Sequence, residues 1–545
     1  MLNYWYKNAV FYNLDVETYQ DSTGDGVGDF VGLTSRLDYL AGLGVTCLWL
    51  APIYPTPNRD NGYDVSEYFG IDPRLGSLGD FVDFIRAADE RGIRVIIDLV
   101  VNHTSVDHPW FESSRSDEDS PYRDYYIWRE RKPENADEFL VFPGYQEATW
   151  TYDRKRKAYY FHRFYEHQAE LNIGNPEVRN EIRKIMAFWL RLGVSGFRVD
   201  AVPFLIELKH MQSASVDSPY EYLSELRNYL SWIKGDAVLL AEANIGMEEV
   251  PKYFGKGDKL QMMFNFVLNQ HVMYSLHKGD AMAAREGLYK PPAIPENCQW
   301  ANFLRNHDEF PVGRLSESQQ QELFDAWAPE ENMRIYNRGI RRRLPPMLDG
   351  DWKRLKLSHS LLMTLPGSPV LRYGEEIGMG EDLSLNERDS TRTPMQWSAQ
   401  SGGGFSTVDR SEMVRPIVDQ GKFAYSKINV ADQQRDAHSL LSVTERMIRV
   451  RKEHPAIGWG KWEIVETGRA EVLAHRCDWK GSTVVAIHNF SDDSIDVHLD
   501  LADLADQTIK ELLSDDQYDP PVKATEKLSL SGCGYRWFSL GGSPV

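Results

Sequence analysis

The chain lacks the features by which several classes of protein are recognised. It has only 4 cysteines among 545 residues, too few and too widely separated for a CxxC motif, a metal-type spacing or a disulfide framework. They are Cys47, Cys298, Cys477 and Cys533. No apolar run approaches the roughly 18 residues that cross a membrane, and the amino terminus lacks the apolar core of a signal peptide. These absences predict a cytoplasmic protein with reduced, mostly buried thiols.

Positive charge is also scarce. Lys and Arg number 61 against 81 Asp and Glu, so the formal net charge is -20. A surface of this sign repels phosphate backbones and anionic lipid, which argues against nucleic acid and membrane partners. Aromatic residues, in contrast, make up 12% of the chain and include 15 Trp. This composition suits a neutral substrate such as a sugar, although large cores also use aromatic residues.

Short apolar runs alternate with amphipathic helical segments along most of the chain. This order is typical of parallel strands that are covered by helices on both faces. The runs are Val10–Leu14, Thr46–Leu50, Arg94–Val101, Gly196–Val202, Val238–Ala243, Met262–Val267, Asn302–Arg305 and Val370–Tyr373. Eight such strands predict an α/β fold, a closed (β/α)8 TIM barrel, in which active-site residues lie at the carboxyl ends of the strands.

The spacing of these runs predicts additional domains. The barrel is expected to occupy residues 1–103 and 173–467. The irregular stretch 104–172 is too long for a simple connection and predicts an inserted subdomain (domain B) after strand 3, over the barrel mouth. Irregular segments near 310–348 and 375–436 predict pocket walls. Alternating runs over 468–545 predict a C-terminal antiparallel β-sandwich domain.

Polar residues follow several of the predicted strands. Arg198 and Asp200 are two apart in a strand and therefore share a face, where the guanidinium favours the ionised carboxylate. Taken alone, this pair is equally compatible with a structural salt bridge. The other strand ends add Asp98, Asn102, His103, Glu242, His307 and Asp308. Carboxylates that converge on one pocket without redox or thiol groups indicate glycosyl chemistry, with one nucleophile and one acid/base.

These strand ends resemble the four signature regions of the α-amylase superfamily, glycoside hydrolase family thirteen. The matching segments are 98–103, 196–201, 240–244 and 303–308. The resemblance implies a retaining double displacement through a covalent β-glucosyl-aspartate intermediate. Asp200 would be the nucleophile, Glu242 the acid/base, and Asp308 the carboxylate that stabilises the transition state. His103, Arg198 and His307 match positions that bind glucose in subsite −1, whereas Asp98 matches a structural residue.

The surroundings of the two reacting carboxyls predict different acidities. Arg198 is expected to keep Asp200 ionised for attack. Glu242 lies in an apolar stretch, which should raise its pKa and keep it protonated to assist the leaving oxygen. The sequence therefore predicts that the two environments pull the pKa values apart, with that of Glu242 the higher.

Two further motifs resemble the α-glucosidase branch of the family. One is Gly62-Tyr63-Asp64 after the second strand, and the other begins at Arg392 after the eighth strand. The resemblance implies that Asp64 and Arg392 pair and hold the non-reducing end of the substrate, while Tyr63 stacks on the sugar ring. Such a clamp would orient hydroxyls and block longer chains. The alternative is an ordinary ion pair between loops.

An early loop predicts a structural metal site. Oxygen ligands stand at alternate positions around Gly26, as in the first part of an EF-hand loop, which suits Ca²⁺ or Mg²⁺. The ligands would be Asp21, Thr23, Asp25, the Val27 carbonyl and Asp29. A solvated turn is the alternative. Resemblance to trehalose synthases and amylases implies a second site. Its ligands would be Asn102, Glu170, the Phe204 and Leu205 carbonyls, and Glu207. No organic cofactor is expected.

Several other stretches resemble bacterial trehalose synthases, which convert maltose to trehalose by intramolecular transglucosylation. The segments 206–219, 245–247 and 309–312 depart from that pattern, and they border the subsite of the acceptor. An α-glucosidase or transglucosidase that acts on short α-glucosides such as maltose or sucrose is therefore the alternative. An inactive family member that serves as a binding subunit is a third. The sequence leaves homo-oligomerisation open.

Overall fold

The barrel is present in the computed structural model, which describes residues 4–207, 219–504, 507–521, 523 and 527–541. Eight parallel strands close on themselves, with β1 paired to both β2 and β8. They are β1 Phe11–Leu14, β2 Cys47–Leu50, β3 Arg94–Leu99, β4 Gly196–Val199, β5 Val238–Ala241, β6 Met262–Phe264, β7 Gln299–Phe303 and β8 Ser368–Arg372. The predicted TIM barrel is confirmed.

The strands read as continuous apolar runs because almost every position in them is buried. Residues facing inward fill the barrel, and those facing outward pack against the surrounding helices. Gly196 begins β4 with φ 150°, and a Cβ at this position would lie 2.2 Å from the Val238 carbonyl oxygen. Only glycine allows β4 and β5 to approach this closely where the catalytic strands start.

Helices connect the strands and form the outer layer. The α-helices are Phe30–Ser35, Leu37–Leu43, Leu78–Glu90, Pro109–Ser116, Pro176–Arg191, Val202–Leu205, Glu221–Ile233, Val250–Phe254, Phe266–Lys278, Met282–Tyr289, Glu317–Trp327, Leu344–Met347, Trp352–Thr364, Val430–Gln433, Leu440–Glu453 and Ala456–Trp459. The longest, Pro176–Arg191, starts at an Asn175 cap whose side chain accepts from the Glu177 amide. It buries an apolar stripe that includes Ile182 and Trp189, as its periodicity predicts.

Three excursions build the barrel mouth. The inserted subdomain after β3 contains a two-stranded sheet (His103–Ser105 with Gln168–Glu170) and a three-stranded sheet (Trp128–Arg129, Trp150–Asp153 and Ala158–Phe161). After β7, three short strands form another sheet: Phe310–Pro311, Arg334–Ile335 and Gly339–Ile340. The excursion after β8 consists of 3-10 turns, Glu375–Ile377, Glu387–Thr391, Ser401–Gly404 and Arg410–Glu412.

The C-terminal part is antiparallel, as predicted. Its main sheet has the order Lys461–Val465, Val472–Trp479, Ser482–Asn489, Tyr535–Gly541 and Ile509–Ser514, and a second sheet pairs Ile495–Val497 with Leu528–Leu530. The first strand begins before the expected boundary at 468. All four cysteines are buried and unpaired in disulfides. Among the described helices, none has the length and apolar character needed to cross a membrane.

Candidate active site

The carboxyl ends of the strands meet around one cavity of about 360 Å³ at the barrel mouth. This volume lies within the range of small-molecule sites. Loops from β2, β3, β4, β5, β7 and β8 contribute to its wall. The lining residues are Asp60, Tyr63, His103, Val141, Phe142, Phe164, Gln168, Asp200, Ala201, Pro203, Phe204, Glu242, Asn244, Phe266, Asn306, Asp308, Glu309, Pro311, Gly313, Arg338 and Arg388. The three carboxylates of the predicted catalytic set, Asp200, Glu242 and Asp308, therefore share one pocket.

Arg198 lies beneath these carboxylates and is 1% exposed. Its Nη1 donates to Asp200 Oδ1 at 2.6 Å, and its Nη2 donates to Glu242 Oε2 at 2.7 Å. A longer contact of 3.4 Å reaches Asp98 Oδ2. The Arg198 guanidinium thus donates to all three carboxylates. The sequence predicted a contact with Asp200 alone. Planar geometry with donors on both arms makes all three contacts possible for arginine.

Burial raises the pKa of both reacting carboxyls. The pKa of Asp200 rises to about 6, because burial outweighs the opposing effect of Arg198. The pKa of Glu242 rises to about 7, again mainly through burial and against Arg198. The predicted order is retained, with the pKa of Glu242 above that of Asp200. Arg198 does not keep the pKa of Asp200 low as expected, because burial penalises both ionised forms and Arg198 is shared between them.

The backbone after Asp200 ties the two carboxyls together. Ala201 has φ 49°, in the left-handed region that non-glycine residues rarely adopt. In this conformation its N–H donates to Glu242 Oε2 at 3.2 Å, and the Val202 N–H donates to the Glu242 carbonyl at 3.2 Å. The end of β4 and the end of β5 are thereby held in register.

Asp308 has a different environment from the other two carboxylates. Its Oδ1 accepts from Arg388 Nη1 at 2.8 Å and from Arg392 Nη2 at 3.1 Å. His307 Nε2 lies 3.3 Å from Oδ2. Burial opposes ionisation, but these three neighbours lower the pKa of Asp308 far below its ordinary value. Asp308 is therefore an anion near neutral pH.

An aromatic and imidazole layer lines the inner end of the cavity. The Tyr63 ring stacks on His307 with centroids 5.7 Å apart, and its hydroxyl donates to Asp98 Oδ2 at 2.6 Å. His103 Nε2 lies 3.0 Å from the Tyr63 carbonyl oxygen. Burial lowers the pKa of His103 to about 4 and that of His307 below its ordinary value. Both imidazoles are therefore neutral near pH 7 and able to bind hydroxyl groups.

The predicted clamp between Asp64 and Arg392 is wrong. Asp64 is fully buried, and its carboxylate accepts from the Thr56 hydroxyl and the Arg59 and Asp60 amides. Arg392 donates instead to the His307 carbonyl, at 2.8 Å, and to Asp308. Asp64 therefore shapes its own loop, and Arg392 supports the end of β7.

Another pair from the same two loops, Asp60 and Arg388, occupies the inner end of the cavity, and we call this pair the clamp. Arg388 Nη2 donates to Asp60 Oδ1 at 2.8 Å, while its Nη1 binds Asp308. Gln168 Nε2 donates to the other Asp60 oxygen at 2.9 Å. Arg388 also lies over the Phe142 ring, 5.2 Å from its centroid. Sequence reasoning missed Asp60 and Arg388, because nothing local distinguishes them from Asp64 and Arg392.

An aromatic cluster joins the three excursions above the cavity. Phe142 stacks on Tyr165 with centroids 4.6 Å apart and lies at the same distance from Tyr336. The Tyr165 and Tyr336 hydroxyls both donate to Glu387 Oε2, at 2.5 and 3.0 Å. The inserted subdomain, the excursion after β7 and that after β8 meet here, and the cluster covers the clamp from solvent.

The predicted first metal loop forms a tight turn. Asp21 Oδ1 accepts from the Thr23 and Gly24 amides, and Oδ2 accepts from the Gly26 amide at 2.9 Å. Asp29 accepts from the Ser22 amide at 2.8 Å. Within the described chain, no three acidic, His or Cys groups converge as a metal cluster. The all-oxygen donor set suits a hard cation, so Ca²⁺ or Mg²⁺ at this loop stays a prediction.

The predicted second metal site is assembled around an arginine. Arg163 Nη2 donates to Glu207 Oε2 at 2.8 Å, and its Nε lies 3.8 Å from Glu170 Oε2. The Asn102 side chain also contacts Glu170, at 3.5 Å, and the Phe204 carbonyl accepts from the Glu207 amide. The guanidinium pairs with Glu207, whereas burial raises the pKa of Glu170 to about 8 despite Arg163. The buried oxygen donors of Asn102 and Glu170 fit a hard cation, so a second metal at these residues stays a prediction. Residues 208–218, within the segment that departs from trehalose synthases, lie outside the described residues.

The chain is similar in sequence and fold to several known proteins. A model of the alpha-amylase catalytic domain matches residues 16–460, and one of the sucrose hydrolase-like C-terminal domain matches residues 481–539. The chain is 39% identical to the trehalose synthase of Pimelobacter sp. strain R48, over 98% of this chain and 96% of the relative. It is 38% identical to trehalose synthase/amylase TreS of Mycobacterium tuberculosis strain H37Rv, over 98% and 90%. An inactive double mutant of MutB in complex with isomaltulose has TM-score 0.79 and 26% identity, over 98% and 99%.

Proposed function

The chain belongs to the α-amylase superfamily, glycoside hydrolase family thirteen, and from this membership we propose that it converts maltose into trehalose by trehalose-synthase-like transglucosylation. One observation carries the proposal: Asp200, Glu242 and Asp308 surround a cavity whose inner end is occupied by the Asp60–Arg388 pair. Relatives that match nearly the whole chain are named trehalose synthases. A small neutral α-glucoside also suits the acidic chain.

The first half of the proposed reaction transfers glucose to the enzyme. The Asp200 carboxylate attacks C1 of the terminal glucosyl unit while Glu242 gives its proton to the glycosidic oxygen. The C1–oxygen bond to the leaving glucose breaks, and a β-glucosyl ester of Asp200 forms. Asp308, held as an anion, stabilises the positive charge that develops on the sugar ring and binds its hydroxyl groups.

The second half moves the glucosyl unit to a new hydroxyl. Glu242, now ionised, takes the proton from the anomeric hydroxyl of the released glucose, and that oxygen attacks C1 of the ester. The bond to Asp200 breaks and its carboxylate is regenerated. Two inversions at C1 retain the α configuration, and joining two anomeric carbons gives trehalose.

The aromatic cover over the inner end of the cavity supports transfer of the glucosyl unit rather than hydrolysis. Water competes with the released glucose for the glucosyl-enzyme, so transfer requires that the glucose remains and water is excluded. The cluster of Phe142, Tyr165, Tyr336 and Glu387 covers the inner end, where the intermediate would lie. A glucosyl unit bound to the clamp would therefore be shielded on the side away from the acceptor.

The test is a time course with maltose followed by NMR. We expect trehalose to accumulate ahead of free glucose, with the α,α linkage read from the anomeric signals. Glucose as the only product would overturn the proposal and favour the second candidate, an α-glucosidase that hydrolyses short α-glucosides. That candidate is favoured by one observation, the exposure of Asn244 on the cavity wall, which leaves water a route to the glucosyl-enzyme.

The shared burial of the reacting carboxyls predicts a narrow pH optimum. Asp200 must lose its proton to attack, so kcat/KM rises as the pH passes its pKa of about 6. Glu242 must keep its proton, so kcat/KM falls as the pH passes its pKa of about 7. We expect a bell-shaped profile with its maximum between these values, measured with 4-nitrophenyl α-glucoside.

A variant separates the two limbs of this profile. In Glu242→Ala, assayed with α-glucosyl fluoride, which needs little acid assistance, the falling limb should disappear and the rising limb should remain. A falling limb that persists in this variant would contradict the role of Glu242. Because the two groups interact through Arg198, the observed values belong to the pair.

We retain the metal prediction as a proposal for the loop of Asp21, Thr23, Asp25, Val27 and Asp29, with Ca²⁺ or Mg²⁺ in a structural role. A cation that binds only the folded state stabilises it. Treatment with a chelator should lower Tm by roughly 5 °C, and returning Ca²⁺ or Mg²⁺ separately should show which restores it. Asp25→Ala, which removes one oxygen ligand, is the matched control, because its Tm should respond less to the chelator. Equal Tm values with and without both cations would contradict the site.

A further inference from the structure

One arginine fixes the side chain that lies next to Glu242 on the outer wall of the cavity. Arg314 Nε donates to Asn244 Oδ1 at 2.7 Å, and its Nη2 donates to the backbone carbonyl of the same residue. The backbone N–H of Arg314 donates to Gln270 Oε1 at 2.7 Å, and Gln270 is fully buried in the helix Phe266–Lys278. Arg314 is therefore anchored to the barrel while it holds Asn244.

This contact determines the orientation of the asparagine amide. A guanidinium has only donors, so it binds the carbonyl oxygen of the amide and leaves the nitrogen on the opposite side. The Asn244 Nδ2 has no hydrogen-bond partner among the described residues, and the side chain is exposed on the cavity wall. Two N–H donors are thus available beside the acid/base residue.

The position of Asn244 places these donors on the acceptor side. The inner end of the cavity is occupied by Asp60, Arg388 and Asp308, which would hold the glucosyl unit. Asn244 follows β5 directly after Glu242 and Ala243, so it lies where a second sugar must bring its hydroxyl to Glu242. Glu309 and Arg338, joined by a contact of 3.2 Å, also line this outer part.

We propose that Asn244 binds the acceptor glucose and that Arg314 is the positioning residue that turns its amide toward that glucose. The inference rests on the proposed function, because it concerns which acceptor receives the same glucosyl unit. Arg314 lies in the excursion after β7, shortly beyond the strand Phe310–Pro311. Holding Asn244 from this excursion makes the excursion part of the acceptor subsite.

The experiment measures the partition of the glucosyl-enzyme between water and glucose. Each variant is given 4-nitrophenyl α-glucoside and isotope-labelled glucose; nitrophenol reports formation of the intermediate, and any labelled disaccharide reports transfer. For Arg314→Ala we expect the ratio of transfer to hydrolysis to fall about tenfold and the apparent KM for glucose to rise similarly, as for a lost charge-assisted hydrogen bond. The same assay without glucose gives, for each variant, the hydrolysis rate against which its transfer rate is compared.

Three further variants make the result specific. Asn244→Asp keeps the oxygen that Arg314 binds but lacks the N–H donors, so it should fold normally and show the same loss of transfer. Arg314→Lys retains a single donor and should be intermediate. Arg334→Ala is the matched control, because Arg334 lies in the same excursion but contacts the Ala328 and Phe324 carbonyls and Asp325 rather than Asn244. Its partition should equal that of the wild type.

The possible outcomes separate this inference from the proposed function. An unchanged partition in both Arg314→Ala and Asn244→Asp would overturn the inference alone. A wild-type enzyme that forms a labelled disaccharide other than trehalose would overturn the proposed function, while a tenfold loss in the variants would still support the acceptor subsite. A wild-type enzyme that forms no labelled disaccharide, and no trehalose from maltose, would overturn both.

Discussion

Asp200→Ala is expected to lower kcat/KM for maltose by about 10⁴- to 10⁶-fold, the range seen when a covalent nucleophile is removed. In the proposed mechanism this carboxylate forms the bond to C1, and the other acidic groups beside it are engaged elsewhere. Asp98 is fully buried and bound to Trp49 and Tyr63, and Asp308 is held by two arginines. The measurement is the initial rate of maltose consumption, with Tm as the check that the variant is folded.

Azide distinguishes a nucleophile from a residue that only supports the site. In Asp200→Ala, azide can occupy the space of the carboxylate and attack C1 of 4-nitrophenyl α-glucoside directly. One inversion then gives β-glucosyl azide. In Glu242→Ala, azide instead attacks the glucosyl ester of Asp200, and two inversions give α-glucosyl azide. The same anomer from both variants, or undiminished maltose turnover by Asp200→Ala, would overturn the assignment of the nucleophile.

Arg388→Ala is expected to lower kcat/KM for maltose by about 10²- to 10³-fold. The substitution leaves Asp60, which is 7% exposed, without its charge partner and removes one of the donors to Asp308. Breaking one partner of a buried charge pair costs about 3–5 kcal/mol, part of which appears here as lost binding of the glucosyl unit. Steady-state rates with maltose and with 4-nitrophenyl α-glucoside should show the same loss, because both share this unit.

Asp64→Asn is the matched control for the clamp. Asp64 lies in the same loop as Asp60, but its carboxylate binds only Thr56 and loop amides, so kcat/KM should change by less than about threefold. The double variant Asp60→Ala with Arg388→Ala should lose less than the sum of the single losses in free energy, since the two side chains form one pair. A severe loss in Asp64→Asn together with a mild one in Arg388→Ala would restore the pairing predicted from sequence.

The strand-end residues were predictable because, in a parallel barrel, the carboxyl ends of all the strands lie on one face. Eight apolar runs predict parallel strands, and parallel strands in a barrel place their carboxyl ends on one face. Asp200, Glu242 and Asp308 therefore had to meet, whatever the intervening loops did. The same reasoning predicted the inserted subdomain after β3 and the antiparallel C-terminal domain, which have the composition and spacing of such elements.

The loop residues were not predictable in the same way. Asp60 was overlooked in favour of Asp64, and Arg388 in favour of Arg392, although each pair of candidates stands in one short loop. A loop has no fixed periodicity, so the direction of each side chain depends on contacts made by distant segments. Arg163 illustrates the same limit. Its neighbours in the sequence give no sign that it contacts Glu170 and Glu207.

The sequence by itself determined the barrel, the three carboxylates and the family, because strand order and residue identity suffice to bring strand ends together. Only the tertiary structure decided how charge is shared among them. Arg198 was expected to serve Asp200 alone but binds Glu242 as well, and burial raises the pKa of both. The tertiary structure likewise decided that Asp60 pairs with Arg388 and that Arg314 orients the Asn244 amide. The physical reason is that desolvation and long-range ion pairing depend on the full three-dimensional surroundings of a group, which no local pattern contains.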